Sequence, residues 1–281
     1  MRRFRYVVVD VFTDVPLAGN QLAVFTDARD LTSEEMQSLA REMNFSETVF
    51  VLPKQGEGHV RIRIFTPTDE LPFAGHPVLG TAFVLGMPLQ LTAIGLETGA
   101  GMVVVELERE GARIAFGRMT QPIPAWKPFE REDELLAALA VERSELPVEE
   151  YDLGPGHVYV ALASEAEVAA LAPDLAALGR VASGGVNCFA GSGTRWKTRV
   201  FLPAIGISED PAAGSAAGPL AVHLARHGRT RFGQEIEISQ GVEIGRPSRL
   251  YAKAEGSAQR VERVEVGGSA VVVARGEFRI P

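Results

Sequence analysis

Cysteine is almost absent from this sequence, since Cys188 is the only cysteine among 281 residues. One thiol cannot form a disulfide within the chain, and it excludes a racemase that works with a pair of thiols. No histidine can be placed beside Cys188 from the sequence, so a buried structural thiol is the preferred interpretation. We therefore expect a protein of a reducing compartment, by default the cytoplasm.

Long apolar runs and an excess of positive charge are also lacking. The valine-rich run near the start stops at Asp10, too short for the apolar region of a signal peptide, and no run reaches the ~18 apolar residues of a membrane span. The net charge is −8, and no basic stripe with interleaved aromatic residues is present. Because nucleic-acid binding depends on neutralising phosphates, we expect neither a nucleic acid nor a membrane as a partner.

Motifs for nucleotides and metals are missing as well. No Gly-x-Gly-x-x-Gly sequence and no phosphate-binding loop follows a predicted strand. His223 and His227 are four residues apart on a predicted helix, but the glutamate of a His-Glu-x-x-His motif and a third ligand are absent. The sequence therefore predicts no metal and no cofactor.

What the sequence does contain is a loop-to-helix unit that occurs twice. The first copy leads from Arg63 through Glu70-Leu-Pro-Phe-Ala-Gly-His-Pro77, and the second leads from Arg199 through Glu209-Asp-Pro-Ala-Ala-Gly-Ser-Ala216. Each copy reads as a strand, an acidic loop, Ala-Gly, a polar residue and a helix. Helix N-termini attract anions through unsatisfied N–H groups and the helix dipole. The repeat predicts two such N-termini, one in each half, directed at one cleft.

The periodicity of apolar residues predicts an α+β fold with two β-rich halves, each holding one long helix. Thr32 and Glu35 form a capping box that starts a helix ending near Asn44. Three prolines in residues 121–128 indicate a linker. We expect one domain at residues 1–120 and a second at residues 121–281, whose last strand packs back on the first domain.

Four polar residues occupy positions suited to chemistry. Glu47 precedes a predicted apolar strand, where burial would raise the pKa of its carboxyl toward the general acid–base range; a surface glutamate fits the same pattern. His76, at the start of the first long helix, is either a donor and proton carrier or a structural cap. Asp210, just before the second long helix, favours a capping role unless a substrate occupies the amides of that helix. Ser215 is either the N-cap of this helix or a residue that helps the amides of 214–216 to bind a substrate carboxylate.

Seven segments together resemble the phenazine-biosynthesis isomerase-like family over essentially the whole chain. They are Asp10-Val-Phe-Thr-Asp14 with Gly19-Asn-Gln-Leu-Ala-Val24, Asn44-Phe-Ser-Glu-Thr48, Phe65-Thr-Pro67, Glu70-Leu-Pro-Phe-Ala-Gly-His-Pro77, Glu209-Asp-Pro-Ala-Ala-Gly-Ser-Ala216 and Gln240-Gly-Val-Glu-Ile-Gly-Arg-Pro-Ser248. The resemblance implies the diaminopimelate-epimerase-like fold, in which two similar domains each wrap a sheet around a central helix and the active site lies in the cleft.

The resemblance also implies a function. This function is a cofactor-independent isomerisation, which shifts a proton and a double bond on a small unsaturated carboxylate such as trans-2,3-dihydro-3-hydroxyanthranilate. The resemblance also implies that the enzyme is a homodimer. Seven positions match the site residues of the family: for catalysis Glu47, His76 and Asp210, and for substrate binding Asn20, Gly75, Gly214 and Ser215.

One position departs from the family pattern, because Ala213 stands where the family usually has threonine in Asp-Pro-Ala-Thr-Gly-Ser. The lost hydroxyl lies beside the predicted anion site, where it would influence the choice of substrate. Two other functions stay open: an epimerase or racemase in which Glu47 and Asp210 replace the missing thiols, and a non-catalytic protein that binds small acids.

Overall fold

The computed structural model describes residues 1–153 and 156–281. The chain divides into two compact units: unit 1 comprises Met1–Thr120 with Gly267–Pro281, and unit 2 comprises Gln121–Val266. The last strand of the chain, Ala270–Ile280, pairs antiparallel with the first, Arg2–Val11, within unit 1.

The elements follow one another in a strand-rich order. The chain first forms β1 (Arg2–Val11), β2 (Asn20–Phe25), α1 (Ser33–Met43), β3 (Glu47–Leu52), β4 (Val60–Phe65), β5 (Glu70–Leu71), α2 (Gly75–Leu89), β6 (Ala93–Thr98), β7 (Gly101–Glu110) and β8 (Arg113–Gln121). It continues with β9 (Ala125–Pro128), α3 (Glu132–Leu139), β10 (Glu149–Asp152), β11 (Gly156–Ala161), α4 (Glu165–Ala170), α5 (Leu175–Val181), β12 (Gly185–Ser192), β13 (Arg195–Leu202), a 3-10 turn (Pro203–Ile205), β14 (Ile207–Asp210), α6 (Gly214–Arg226), β15 (Glu235–Gln240), β16 (Ser248–Gly256), β17 (Val261–Gly268) and β18 (Ala270–Ile280).

Both units repeat one pattern of strand pairing. In unit 1, β1 pairs antiparallel with β2, β2 parallel with β3, β3 antiparallel with β4, and β4 parallel with β6. In unit 2, β10 pairs antiparallel with β11, β11 parallel with β12, β12 antiparallel with β13, and β13 parallel with β15. The short strands β5 and β14 each pair with the strand that carries the repeat's arginine, directly before the long helix. The predicted α+β fold with a repeated architecture is thus confirmed.

Each unit holds a long helix that is buried over most of its surface. α2 contains no charged residue, and it contacts β1, β2, β3, β6, β7 and β18. α6 contacts β15 and β16 within unit 2. A helix that is apolar on every side is stable only when it is enclosed, which explains why α2 is the central element of its unit. Among the described residues, no helix is both long enough and apolar enough to cross a membrane.

Local sequence signals fixed some boundaries well. The Thr32 hydroxyl accepts from the Glu35 amide, and the Glu35 carboxylate accepts from the Thr32 amide at 2.9 Å, so the capping box forms as predicted. Helix α1 ends as expected before Asn44, which takes the left-handed conformation with φ 52°. The predicted linker is wrong over its second part, because residues 125–128 form β9, paired with β10. Pro124 precedes this strand and Pro128 is its last residue, so the residues between them keep the N–H groups that pairing needs.

Candidate active site

An arginine–glutamate ion pair anchors the acidic loop in each copy of the repeated unit. Arg63 of β4 donates to both carboxylate oxygens of Glu70, at 2.7 and 2.6 Å. Arg199 of β13 donates to both oxygens of Glu209, at 3.0 and 2.7 Å. Such two-point contacts fix orientation as well as distance. Glu70 and Glu209 therefore have a structural role, which separates them from the candidates for catalysis.

Helix α2 starts without a side-chain cap. It begins at Gly75, and the preceding Ala74 has no side-chain acceptor for the N–H groups of the first turn. His76 is the second helical residue, so it lies inside the helix and is not its N-cap. Pro77 is the third helical residue, and proline is tolerated in a first turn because its missing N–H removes no helical hydrogen bond.

Helix α6 starts in the same way. It begins at Gly214 after Ala213, and again no side chain caps it. Ser215 is the second helical residue, so the expectation that it is the N-cap is wrong. The first N–H groups of a helix have no acceptor within it. Because no side chain accepts from the backbone N–H groups at the start of α6, a bound anion could accept hydrogen bonds from them.

Unit 1 brings Glu47 and His76 together. Glu47 is the first residue of β3, and only 13% of its side chain is exposed. Its Oε2 lies 3.5 Å from Nε2 of His76. Helix α1 ends before Asn44, and a short turn connects it to β3. The Glu47 carboxylate therefore lies at the start of a buried strand.

A chain of polar side chains lies behind His76. The Nδ2 atom of Asn20 lies 3.4 Å from Nδ1 of His76, and the Ser46 hydroxyl donates to Oδ1 of Asn20 at 3.4 Å. Gly19, with φ +67°, takes the left-handed conformation, and a Cβ there would overlap the Val11 carbonyl. Glycine is required before Asn20 because the backbone passes too close to β1 for a side chain.

The imidazole of His76 is neutral at ordinary pH. Burial lowers its pKa to about 3, although a backbone hydrogen bond with Gln21 acts in the opposite direction. A neutral ring has one N–H and one lone pair. With Nδ1 accepting from Asn20 the ring proton lies on Nε2, and with Nδ1 protonated the Nε2 lone pair faces Glu47. At 3.5 Å, Nε2 and Oε2 are in contact but do not form a hydrogen bond. Depending on its tautomer, the neutral ring therefore presents either an N–H or a lone pair to Glu47.

Unit 2 places Asp210 at the turn into α6. It is the last residue of β14, it is buried, and its Oδ1 accepts from the Ala212 amide at 3.3 Å. Gln240 fixes the same turn from β15, since its Nε2 donates to the Asp210 carbonyl at 2.7 Å and its Oε1 accepts from the Ala213 amide at 3.3 Å. Sequence alone does not reveal this role of Gln240, because its motif has no local signature for a contact with a distant turn.

Ser215 has a partner that is distant in the sequence. Its hydroxyl oxygen lies 3.1 Å from Nε2 of His157, which is buried in β11. Burial lowers the pKa of His157 to about 4, so this ring is neutral too. The sequence signal for this contact is a histidine at the start of the otherwise apolar run Val158-Tyr-Val-Ala161.

A second histidine cluster lies at the other end of α6. The carboxylate oxygen Oε2 of Glu149 lies 3.2 Å from Nδ1 of His223, 3.1 Å from Nε2 of His227 and 2.7 Å from Nη1 of Arg226. The ligand atoms of Glu149 and the two histidines are close enough to hold a metal ion. Arg226, however, already places a cation against the same carboxylate oxygen, and its guanidinium lies 4.2 Å from the ring centroid of Trp126.

The pKa of Glu149 reflects this environment. Burial acts to raise it, but hydrogen bonds from His223, Arg226, His227 and Tyr151 together hold it well below its usual range. The carboxylate is thus a stable anion that ties the last turn of α6 to β10. We interpret the cluster as structural, and the absence of a metal stays a prediction.

Comparisons with known proteins extend over the whole chain. The sequence profile of the family described as phenazine biosynthesis-like protein matches residues 9–276. Trans-2,3-dihydro-3-hydroxyanthranilate isomerases of Pseudomonas aeruginosa and Pseudomonas chlororaphis are 55% and 53% identical to this chain, over 97% and 96% of its length and 98% of theirs.

Solved structures agree with the sequence matches. A phenazine biosynthesis protein of the PhzF family from Bacillus anthracis is similar with a TM-score of 0.87 and 26% identity, over 100% of both chains. A hydroxyproline epimerase from Agrobacterium vitis is similar with a TM-score of 0.65 and 12% identity, over 98% of this chain and 92% of its own. The second likeness shows the epimerase-like fold alone.

Family, fold and class of activity therefore agree. The described structure has the repeated α+β topology that the resemblance implied, and relatives at 53–55% identity are named isomerases, so this chain is an isomerase. It belongs to the phenazine biosynthesis-like protein family.

Proposed function

We propose that this protein isomerises trans-2,3-dihydro-3-hydroxyanthranilate, or a close cyclic unsaturated carboxylate, by moving a proton and a double bond without a cofactor. The observation that carries the proposal is the contact of 3.5 Å between the Glu47 carboxylate and the neutral imidazole of His76. The names of the relatives at 53–55% identity support the substrate.

Glu47 is the acid–base group of the proposed reaction. Its carboxylate takes a proton from a carbon beside the unsaturated system, the electron pair shifts along that system, and the double bond moves. The carboxylic acid then returns its proton to a second carbon, so that no oxidant or reductant is consumed. A positioned acid–base group typically contributes ~10²–10⁴-fold to the rate.

His76 and Asn20 support this proton transfer. A neutral imidazole beside Glu47 can donate to the carboxylate or accept from the carboxylic acid, which steadies the pair in both halves of the cycle. Asn20 holds the other ring nitrogen at 3.4 Å, and this fixes the plane of the ring. We assign Asp210, buried at the turn into α6, to orienting the substrate or relaying a proton.

The starts of the two long helices are assigned to binding the anionic part of the substrate. Gly75 and Gly214 open helices that no side chain caps, and glycine lets a ligand approach the backbone closely. Ser215 adds a hydroxyl from the first turn of α6. Backbone amides and a hydroxyl bind a carboxylate without a charged side chain that would compete with acid–base chemistry.

The test is incubation with trans-2,3-dihydro-3-hydroxyanthranilate in D₂O, followed by proton NMR. The expected result is turnover in which the double bond moves and hydrogen is delivered to a carbon other than the one that lost it. Exchange with inversion at a single stereocentre would instead identify an epimerase that uses Glu47 and Asp210. Tight binding of the acid with no exchange at any carbon would identify a non-catalytic binding protein.

We further propose that the protein is a cytoplasmic homodimer. The single cysteine, Cys188, is buried, so the fold contains no disulfide that would need an oxidising compartment. Dimers are common in the family that the sequence resembles. Sedimentation equilibrium of the purified protein tests the proposal, and a mass near 30.2 kDa, that of one chain, would contradict it.

A further inference from the structure

Nε2 of His157 contacts the hydroxyl of Ser215 at 3.1 Å, although the two residues are 58 positions apart in the sequence. The His157 side chain is almost fully buried, with 1% exposed. Ser215 is only partly buried, and it lies in the first turn of a helix that no side chain caps. The contact therefore joins a buried imidazole to a less buried hydroxyl at the start of α6.

The other ring nitrogen of His157 determines which atom donates. Nδ1 is buried and has no hydrogen-bond partner among the described residues. An N–H left without a partner in the interior is rarer in proteins than an unsatisfied acceptor. The neutral ring therefore keeps its proton on Nε2, and Nε2–H donates to the serine oxygen. Since that oxygen is the acceptor in this bond, the serine O–H is left to donate elsewhere.

The space for this ring is built into unit 2. His157 and Gly185 are register partners on the parallel strands β11 and β12, and a Cβ on Gly185 would overlap the imidazole at Nδ1. At the matching place in unit 1, the parallel strands β2 and β3 pair Leu22 with Glu47. The position that Glu47 occupies in unit 1 is therefore occupied by Gly185 in unit 2, and this glycine leaves room for the His157 ring.

We propose that His157 is a positioning residue that sets the Ser215 hydroxyl as a hydrogen-bond donor to the substrate carboxylate. The inference rests on the proposed function, because it assumes that Ser215 binds that carboxylate. His157 does not contact the substrate itself. It fixes the direction of the one side-chain donor at the start of α6, so that binding does not first have to orient a freely rotating hydroxyl.

Two substitutions separate this role from simple packing. In His157→Gln the terminal amide nitrogen reaches about as far as Nε2 and still donates, whereas in His157→Asn the amide nitrogen stops near the position of Nδ1. We expect His157→Asn to raise KM and the Kd of anthranilate by roughly 10-fold, the effect of losing a hydrogen bond to a charged group, while kcat changes by less than about 3-fold. We expect His157→Gln to stay within about 3-fold of the unchanged protein in both constants.

The second part of the experiment asks whether His157 acts through Ser215. Ser215→Ala should raise the Kd of anthranilate by about the same factor as His157→Asn, and the double variant should add less than about 2-fold. As a ligand control, 2-aminobenzamide lacks the carboxylate, so its binding should change little in all variants. Circular dichroism and thermal unfolding establish that each variant is folded; if His157→Asn is not, His157→Met supplies the same loss of a donor.

The outcomes distinguish the role of Ser215 from the role of His157. If Ser215→Ala leaves anthranilate binding unchanged, the assignment of Ser215 to the carboxylate in the proposed function fails. If Ser215→Ala weakens binding but His157→Asn does not, or if the two effects simply multiply in the double variant, the role of His157 is overturned while the proposed function stands.

Discussion

Oε2 of Glu47 lies 3.5 Å from Nε2 of His76, and the imidazole is neutral because it is buried. The contact is therefore not a salt bridge, and the neutral ring presents either an N–H or a lone pair to the Glu47 carboxylate. His76 lies in the first turn of α2, where the positive end of the helix dipole further disfavours a charged ring and favours an anionic Glu47. A carboxylate placed in this way is suited to accept a proton from carbon and to return it.

The first prediction concerns Glu47. Glu47→Gln keeps the shape of the side chain but cannot carry a proton, so kcat should fall by at least ~10²-fold while the Kd of anthranilate changes by less than about 3-fold. The measurement is steady-state turnover of trans-2,3-dihydro-3-hydroxyanthranilate beside a binding titration. Glu57→Gln, at an exposed loop position, is the matched control and should leave kcat unchanged. Near-normal turnover in Glu47→Gln would refute its role.

The second prediction concerns stability and pH. The pKa of His76 is about 3 in the folded chain, below the ordinary value of 6.5 that the unfolded chain regains. Between these values the unfolded state binds more protons, so this histidine makes the fold less stable as pH falls from 6.5 toward 3. The slope for one group approaches about 1.4 kcal/mol per pH unit. Denaturant unfolding of His76→Gln between pH 7 and pH 5 should show a flatter decline; parallel curves would contradict the burial effect.

The third prediction compares the two anchoring ion pairs. The side chains of Arg199 and Glu209 are 10% and 8% exposed, whereas those of Arg63 and Glu70 are 17% and 43% exposed. Glu209→Gln should cost about 3–5 kcal/mol of unfolding free energy, because it leaves a buried guanidinium without its carboxylate. Glu70→Gln removes a carboxylate that is much more exposed than that of Glu209, so the expected cost is about 1 kcal/mol or less. Urea unfolding of both variants tests this prediction. Equal losses of unfolding free energy would show that the deeper burial of the second ion pair does not increase its contribution to stability.

The fourth prediction concerns Ala213, the departure from the family pattern. Ala213 precedes the first residue of α6, is 4% exposed and has no side-chain acceptor. Ala213→Thr supplies a hydroxyl that can accept from an amide of the first turn, and Ala213→Val has the same volume without the hydroxyl. The free energy of unfolding of the threonine variant should therefore exceed that of the valine variant by about 1 kcal/mol. A valine variant of equal or greater stability would show that no cap forms.

Parts of this structure could be predicted from sequence because they depend on neighbouring residues. The capping box of Thr32 and Glu35 acts within one turn of helix, and it placed α1 correctly. Alternating arginine and apolar residues gave β4 its bounds, Val60–Phe65. The proline-rich segment misled, because prolines exclude some hydrogen bonds but do not decide whether the residues between them find a neighbouring strand.

By itself, the sequence determined the repeated unit, the two long helices and the identity of Glu47, His76, Asp210 and Ser215 as candidates. Only the tertiary structure decided what these residues contact. It showed that His157, not a neighbour in sequence, holds Ser215, and that Gln240, 30 residues from Asp210, fixes the turn before α6. The physical reason is that helix starts and strand patterns follow from local backbone preferences, whereas a side-chain contact depends on strand register and packing, which join distant segments at distances no local pattern encodes.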